Sequence, residues 1–279
     1  MRIASMKNLL AVAVIATLPA LAQLEDKGTE RKTHSGVREL IIDNVSGTIE
    51  VTAGTGADVE LEITHSFRGR SEDRLAIARK ELKVDVRQEG GLLQYMVDGP
   101  FRCHCAENSI SFNGRQVYDF SYDFKVKVPR SIALELRAVN NSHITVQGTA
   151  GDFKINNVNG PIDMTDIEGK GSVHTVNGGV KVTFARNPTG PVSFKSVNGK
   201  LDVTFRSGLN ADLKLKTFNG GLYTDFDTTA LPQQSSADRV NGRFVYKRDR
   251  AAVVRVGSGG PEFNFETLNG DVLVKNREK

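Results

Sequence analysis

The chain has 279 residues, 27 of them glycine and none tryptophan, with 39% hydrophobic residues. That length suffices for one large or two ordinary domains, and the composition suits a turn-rich β protein better than a helical one. The formal charge of +4 falls to +2 when Arg2 and Lys7 are removed with the N-terminal segment, which is close to neutral and gives no strong case for nucleic-acid binding.

In chain order, residues 1–22 are expected to be a signal peptide. Arg2 and Lys7 form a positive start, "LLAVAVIATLPALA" an apolar core, and Ala20 and Ala22 the small residues before a cleavage site. The apolar run is short for a membrane span, which needs about 20 apolar residues. No cysteine follows the site for lipid attachment. The expected location is therefore extracytoplasmic: periplasm, cell surface or medium. Residues 23–35 are expected to be a flexible N-terminus, followed by a single repeat domain over 36–276.

The first repeats are expected in 36–66, where "NVSGTIEVTAGTGADVELEITHS" alternates apolar and polar residues around glycine turns. A break follows. "SEDRLAIARKEL" predicts a helix over 71–82, with Ser71 as N-cap and Leu75, Ala78 and Leu82 as the apolar stripe. Strands are predicted in "KVDVRQ", "LLQYMV" and "YDFSYDFKVKVPR". Residues 67–124 are expected to form a small α+β insertion that covers one end of the repeat stack, where strand edges would otherwise lie open.

The only cysteines, Cys103 and Cys105, stand in "FRCHCAEN". Outside the cytoplasm the pair suggests a short-loop disulfide. A zinc site with His104 would need further ligands, and His34, His65, His143 and His174 show no ligand spacing. No metal or cofactor is expected.

The main repeats occupy 125–276. "INNVNGPIDM", "VHTVNGGVKV", "FKSVNGKLDV", "LKTFNGGLYT" and "FETLNGDVLV" align on Asn159-Gly160, Asn177-Gly178, Asn198-Gly199, Asn219-Gly220 and Asn269-Gly270. The first four turns are spaced by 18, 21 and 21 residues, a repeat-architecture period. Apolar residues recur four before each Asn and three after it, and a small polar residue recurs two before. "LRAVNNSHITV" is a degenerate copy with Asn141 in place of glycine, and Val240-Asn241-Gly242 repeats the turn alone. Each unit reads strand, turn, strand, Asn-Gly turn. The expected class is all-β, a single-stranded β-helix-like β-solenoid of ~20-residue two-strand repeats; the alternative is an antiparallel β-meander. Asn198 is expected to stack on Asn177 and Asn219, with Gly199 supplying a permissive backbone. The segment from Asp227 to Arg239 is predicted to be a surface loop, and 277–279 a charged tail.

"YDFKVKVPRSIALELRAVNNSHITVQGTAGDFKINNVNG", with its Val128-Pro129 strand end, resembles the entry to the repeats of the bacterial putative-adhesin-domain family, as does the closing "GSGGPEFNFETLNGDVLVKN". The resemblance covers about 36–276. It implies an extracytoplasmic β-repeat protein with an envelope or surface role, and it carries no catalytic residues. Asn141 and the Cys103-His104-Cys105 element depart from the pattern.

The chemistry-bearing candidates are few. Asp163 with Asp166, and Asp225 with Asp227, are the paired carboxylates that glycoside hydrolysis would use. No Gly-x-Ser-x-Gly, His-Glu-x-x-His or phosphate-loop pattern occurs. Three residues before successive Asn positions, Arg137, His174, Lys195 and Lys216 would form a cationic ladder able to face an anionic polymer, or simply guard an exposed sheet face. The expected function is a non-enzymatic cell-envelope scaffold that binds a polysaccharide or another envelope protein. The alternatives are a carbohydrate-active enzyme and a regulatory component of an envelope-stress system.

Overall fold

The computed structural model describes residues 23–278 except 104–109, 111–116, 141, 233–234, 241–242 and 249–250, and side chains are described outside 233–250. The signal-peptide segment, His104, Cys105, Asn141 and the Asn241-Gly242 turn therefore lie outside the described residues. The structure is all-β with one helix, in two large mixed sheets that do not close into a barrel.

The N-terminal part comprises β1 (Leu24–His34), β2 (Glu39–Asp43), β3 (Ile49–Gly54), β4 (Val59–Gly69), α1 (Glu72–Glu81), β5 (Lys83–Glu89), β6 (Leu92–Asp98) and β7 (Asp119–Pro129). The repeats follow as β8 (Ala133–Ala138), β9 (Ile144–Gln147), β10 (Phe153–Asn159), β11 (Ile162–Ile167), β12 (Gly171–Asn177), β13 (Val180–Phe184), β14 (Val192–Asn198), β15 (Leu201–Phe205), β16 (Ala211–Asn219) and β17 (Leu222–Thr224). Then come β18 (Thr228–Ala230), the hairpin β19 (Ser235–Val240) and β20 (Arg243–Arg248), β21 (Ala252–Val256), β22 (Glu262–Asn269) and β23 (Val272–Asn276).

Each repeat gives one strand to each sheet. Sheet A runs β1-β4-β7-β3-β9-β11-β13-β15-β23-β17, and sheet B runs β18-β21-β16-β22-β14-β12-β10-β8-β2-β6-β5. From β8 to β14 and from β9 to β15 the neighbours are parallel, and each strand pairs with the equivalent strand of the next unit. Like residues therefore stack. Ile155, Val173, Phe194, Phe265 and Leu215 form one inward row. Ile162, Val180, Leu201 and Val272 form its counterpart in sheet A. Phe184 stacks on Phe205 and Phe205 on Phe263, with ring centroids 4.9 and 5.3 Å apart.

The small polar residue two before each Asn points inward and is satisfied by the neighbouring unit. The hydroxyls of Thr175, Ser196, Thr267 and Thr217 donate to the carbonyls of Gly160, Gly178, Gly199 and Gly270 at 2.9–3.0 Å. A buried hydroxyl without such a partner would cost about 1–3 kcal/mol, so the repeat needs a small donor there. Outside this row, the Asn side chains form a continuous amide chain. Asn219 donates to Asn269, Asn269 to Asn198, Asn198 to Asn177, Asn177 to Asn159 and Asn159 to Asn140, at 2.7–3.1 Å. Asn198→Ala removes two of these bonds and is expected to cost about 1–2 kcal/mol, measured by urea unfolding; an unchanged midpoint would show that the amide chain does not contribute to stability.

Four expectations need correction. Residues 24–34 are not a flexible N-terminus but β1, paired antiparallel along its whole length with β4, from Leu24 to Gly69 through His34 to Val59. Its charges lie on both faces, which hides the alternation and suits an edge strand. The segment predicted as a loop from Asp227 contains β18, which pairs with β21. The last unit does not follow its predecessor in space: β22 sits between β14 and β16, and β23 between β15 and β17. Asn198 therefore neighbours Asn269, not Asn219. Finally, Gly199 is required by close approach, because a Cβ there would lie 1.9 Å from the Gly178 carbonyl oxygen; a left-handed backbone plays no part.

The helix packs Leu75 and Ala78 inward, with Leu82 just beyond its end. Ser71 occupies the N-cap position without a side-chain cap bond. The segment 67–124 contributes to both sheets through the end of β4, β5, β6 and the start of β7. Arg102 ties the region after β6 to the stack: its fully buried guanidinium forks onto Asp43 at 3.1 and 3.2 Å and onto the Val97 carbonyl.

Candidate functional site

The outer face of sheet B holds the residues singled out as a cationic ladder. Arg137, Asn156, His174, Lys195, Glu266 and Lys216 occupy successive positions of one row. They alternate with buried neighbours such as Ile155, Val173, Phe194 and Phe265, so strand periodicity turns them to solvent. The row is not a free cationic strip. Because the last unit is intercalated, Glu266 lies between Lys195 and Lys216 and bridges both amines, at 3.3 and 3.0 Å. Hydrogen bonding from Lys216, then from Lys195, holds the Glu266 carboxyl below the ordinary carboxylate range against the opposing effect of partial burial. Arg137 is bonded to Glu135 on its own strand. Of the four cationic candidates, His174 has no ion pair among the described residues.

Two residues upstream on the same strands, the face dips into a shallow groove of about 580 Å³. Its floor is made by side chains too short to fill it: Ser172 on β12, Ser193 on β14 and Asn264 on β22, which share one row. Longer side chains stand around them. Lys154 reaches Glu135 at 3.3 Å, and Lys170 reaches Asp152 at 3.9 Å. Partial burial pushes the Glu135 carboxyl up, but hydrogen bonds from Arg137 and Lys154 outweigh it and the net shift is downward. Glu39 and Glu262 stand at opposite ends of the groove, with no ion pair among the described residues. Alternation marks these positions as outward, but the groove arises from the small size of serines on neighbouring units, a signal visible only after the strands are set in register.

A second hollow, of about 470 Å³, lies on sheet A among β1, β4, β7 and β3. There Arg31, Glu62, Lys125 and Glu50 follow one another across a single row. Alternating charge of this kind is cross-strand pairing, and Arg31 meets Glu62 at 2.7 Å.

The paired carboxylates are engaged separately. Asp163 binds His143 at 2.6 Å, and Asp166 binds Arg277 at 2.7 Å. Asp166 has a left-handed backbone, φ 51°, beside an irregularity in the β11–β13 pairing, and its N–H donates to the Thr183 hydroxyl. Asp225 accepts from the Asn276 N–H at 3.2 Å, and both Asp225 and Asp227 are exposed. Neither pair lines either groove. The expected disulfide between Cys103 and Cys105 lies outside the described residues, because Cys105 is not among them. Among the described residues, no cluster of three or more His, Cys, Asp or Glu could hold a metal ion, and no helix is long and apolar enough to cross a membrane.

No family model and no curated protein matches the chain. Solved structures do. One is a "putative cell adhesion protein" from Clostridium sporogenes ATCC 15579, at 11% identity over 90% of this chain and 100% of that one, with a TM-score of 0.42. Another is a "putative adhesin" from Bacteroides fragilis NCTC 9343, at 12% over 90% and 97%, with 0.38. A third is a "putative lipid binding protein" from Parabacteroides distasonis ATCC 8503, at 11% over 90% and 96%, with 0.31.

Proposed function

We propose that the protein is a non-enzymatic, extracytoplasmic cell-envelope scaffold, an adhesin-like β-solenoid that presents the outer face of sheet B to a polymer or protein partner. One observation carries this reading: equivalent residues of successive units stand side by side in rows, so a single sequence position becomes a continuous strip of surface. Such a strip suits a partner that is itself extended or repetitive. The recurring Asn, Gly and Thr at corners and cores serve the scaffold, and the chemistry available to a partner is what the outward positions offer.

The test uses the chain from Gln23 onward as bait in envelope extract. Capture is expected to be lost in Ser193→Tyr, which fills the sheet B groove, and kept in Thr204→Tyr, which alters the outward face of β15 in sheet A. Capture that ignores Ser193→Tyr would move the contact off this face. Incubation with a broad glycan panel is expected to release no reducing ends. Release that disappears in Asp227→Asn would establish the hydrolase reading instead.

A further inference from the structure

We infer that the sheet B groove is a binding site for an uncharged, polyhydroxylated polymer: a neutral glycan strand lying along the stack, across the strands. This rests on the reading of sheet B as the contact face. The groove is lined by residues of six consecutive strands, β2, β8, β10, β12, β14 and β22. Five spacings of about 4.8 Å make it about 24 Å long, the scale of an oligosaccharide segment.

Its chemistry selects the occupant. Ser172, Ser193 and Asn264 each offer both a donor and an acceptor. Glu39 and Glu262 add acceptors at the two ends, while Lys154 and Lys170, their charges paired with Glu135 and Asp152, keep further N–H donors along the side. A sugar hydroxyl is likewise donor and acceptor, so an array of this kind matches it, and the excess of Glu39, Glu135, Asp152 and Glu262 over Lys154 and Lys170 is tolerated by a neutral ligand. A polyanion is matched poorly. Lys154, Arg137, Lys195 and Lys216 are each already committed to a carboxylate, and a polyanion would have to break those pairs and face Glu39 and Glu262. For the Arg137, His174, Lys195 and Lys216 row, this favours the reading of charges that guard an exposed sheet face over that of a polyanion ladder.

An extended peptide is also matched poorly. Peptides dock on sheets by pairing with a free edge or by placing side chains in pockets. The groove lies across strands whose backbone groups are already used in parallel ladders, and of its apolar lining Leu134, Phe153 and Val192 are buried in the core, which leaves Ala133 and Pro191 as apolar surface and no deep side-chain pocket.

The experiment measures binding of the chain from Gln23 onward to linear oligomers of glucose, mannose and N-acetylglucosamine. Polygalacturonate and an unstructured peptide library serve as comparators. Binding to a neutral oligomer is expected, nearly unchanged between low and high salt. It should weaken about tenfold or more, about 1.4 kcal/mol, in Ser172→Tyr and in Ser193→Tyr. Both positions are outward, so circular dichroism and the unfolding midpoint should match the parent. Asn264→Ala is the milder companion and should weaken binding without filling the groove. Preference for polygalacturonate with steep salt dependence would overturn the inference, as would selection of a peptide through the same residues. Silence of a folded chain across the neutral oligomers would also overturn it. In that last case, extract capture that is still lost in Ser193→Tyr would leave the scaffold reading standing, so the two failures are distinguishable.

Discussion

Gly199→Ala is expected to destabilise the protein by about 4 kcal/mol or more, at the diagnostic extreme for a single substitution. The added methyl would lie 1.9 Å from the Gly178 carbonyl oxygen and 2.4 Å from its carbon. Nothing flexible can yield, because both atoms belong to the backbone of the preceding unit. That backbone is fixed by the Gly178 N–H bond to the Asn198 carbonyl and by the Ser196 hydroxyl bond to the Gly178 carbonyl. Relief requires the two units to separate, which weakens the neighbouring amide and hydroxyl bonds together. The same contact recurs at Gly160, Gly178, Gly220 and Gly270, where a Cβ would fall 1.6–2.3 Å from a carbonyl oxygen. Gly56→Ala is the control: its nearest neighbour would be 4.0 Å away, and its midpoint should move little. Thermal and urea unfolding of the two variants should differ sharply. Similar stabilities would mean that the units are not held in the close register described.

A chain ending at Gly260 is expected to lose order well beyond the residues removed. In a stack whose units followed chain order, deleting the last would forfeit one interface. Here β22 and β23 fill the place between β14–β15 and β16–β17, so two interfaces disappear and β16 and β17 lose their parallel partners. Phe263, Phe265, Val272 and Val274 are all fully buried. At about 1.5–3 kcal/mol each, their removal forfeits about 6–12 kcal/mol, comparable with the whole stability of an ordinary domain. Amide exchange should show protection lost from β14 through β21 and retained longest around β3, β8 and β9. Unchanged protection of β16 in the shortened chain would contradict the intercalated order.

The rows of the stack were legible because each rests on residue type at fixed spacing. Apolar residues at Ile155, Val173 and Phe194 face inward, Thr175 and Ser196 are small donors, and Asn177 and Asn198 are corners. Repetition made each assignment check the others. The order of units was not legible, since Phe265 in the last unit fits beside Phe194 as well as Leu215 would. No local signal says which neighbour a repeat chooses. From that one ambiguity came the misplacement of Asn219 beside Asn198 and the picture of Lys195 next to Lys216 as an open cationic pair. β1 escaped for a different reason: an edge strand charged on both faces has no hydrophobic period to read. The groove escaped because a hollow is a relation among side-chain sizes on strands some 20 residues apart, and Ser172 or Ser193 alone signals only an outward position.

The place of β22 and β23 also has a consequence in time. A chain exported or synthesised from its N-terminus meets its partners in sequence order, and domains commonly acquire structure as they emerge. Here β16 and β17 emerge some 40 residues before the strands that separate them from β14 and β15. The two halves of that gap must therefore wait unjoined, or stay unfolded, until β22 and β23 arrive. β22 and β23, made after the strands they separate, act as the keystone, and a chain that lacks them is marked by its own lack of order.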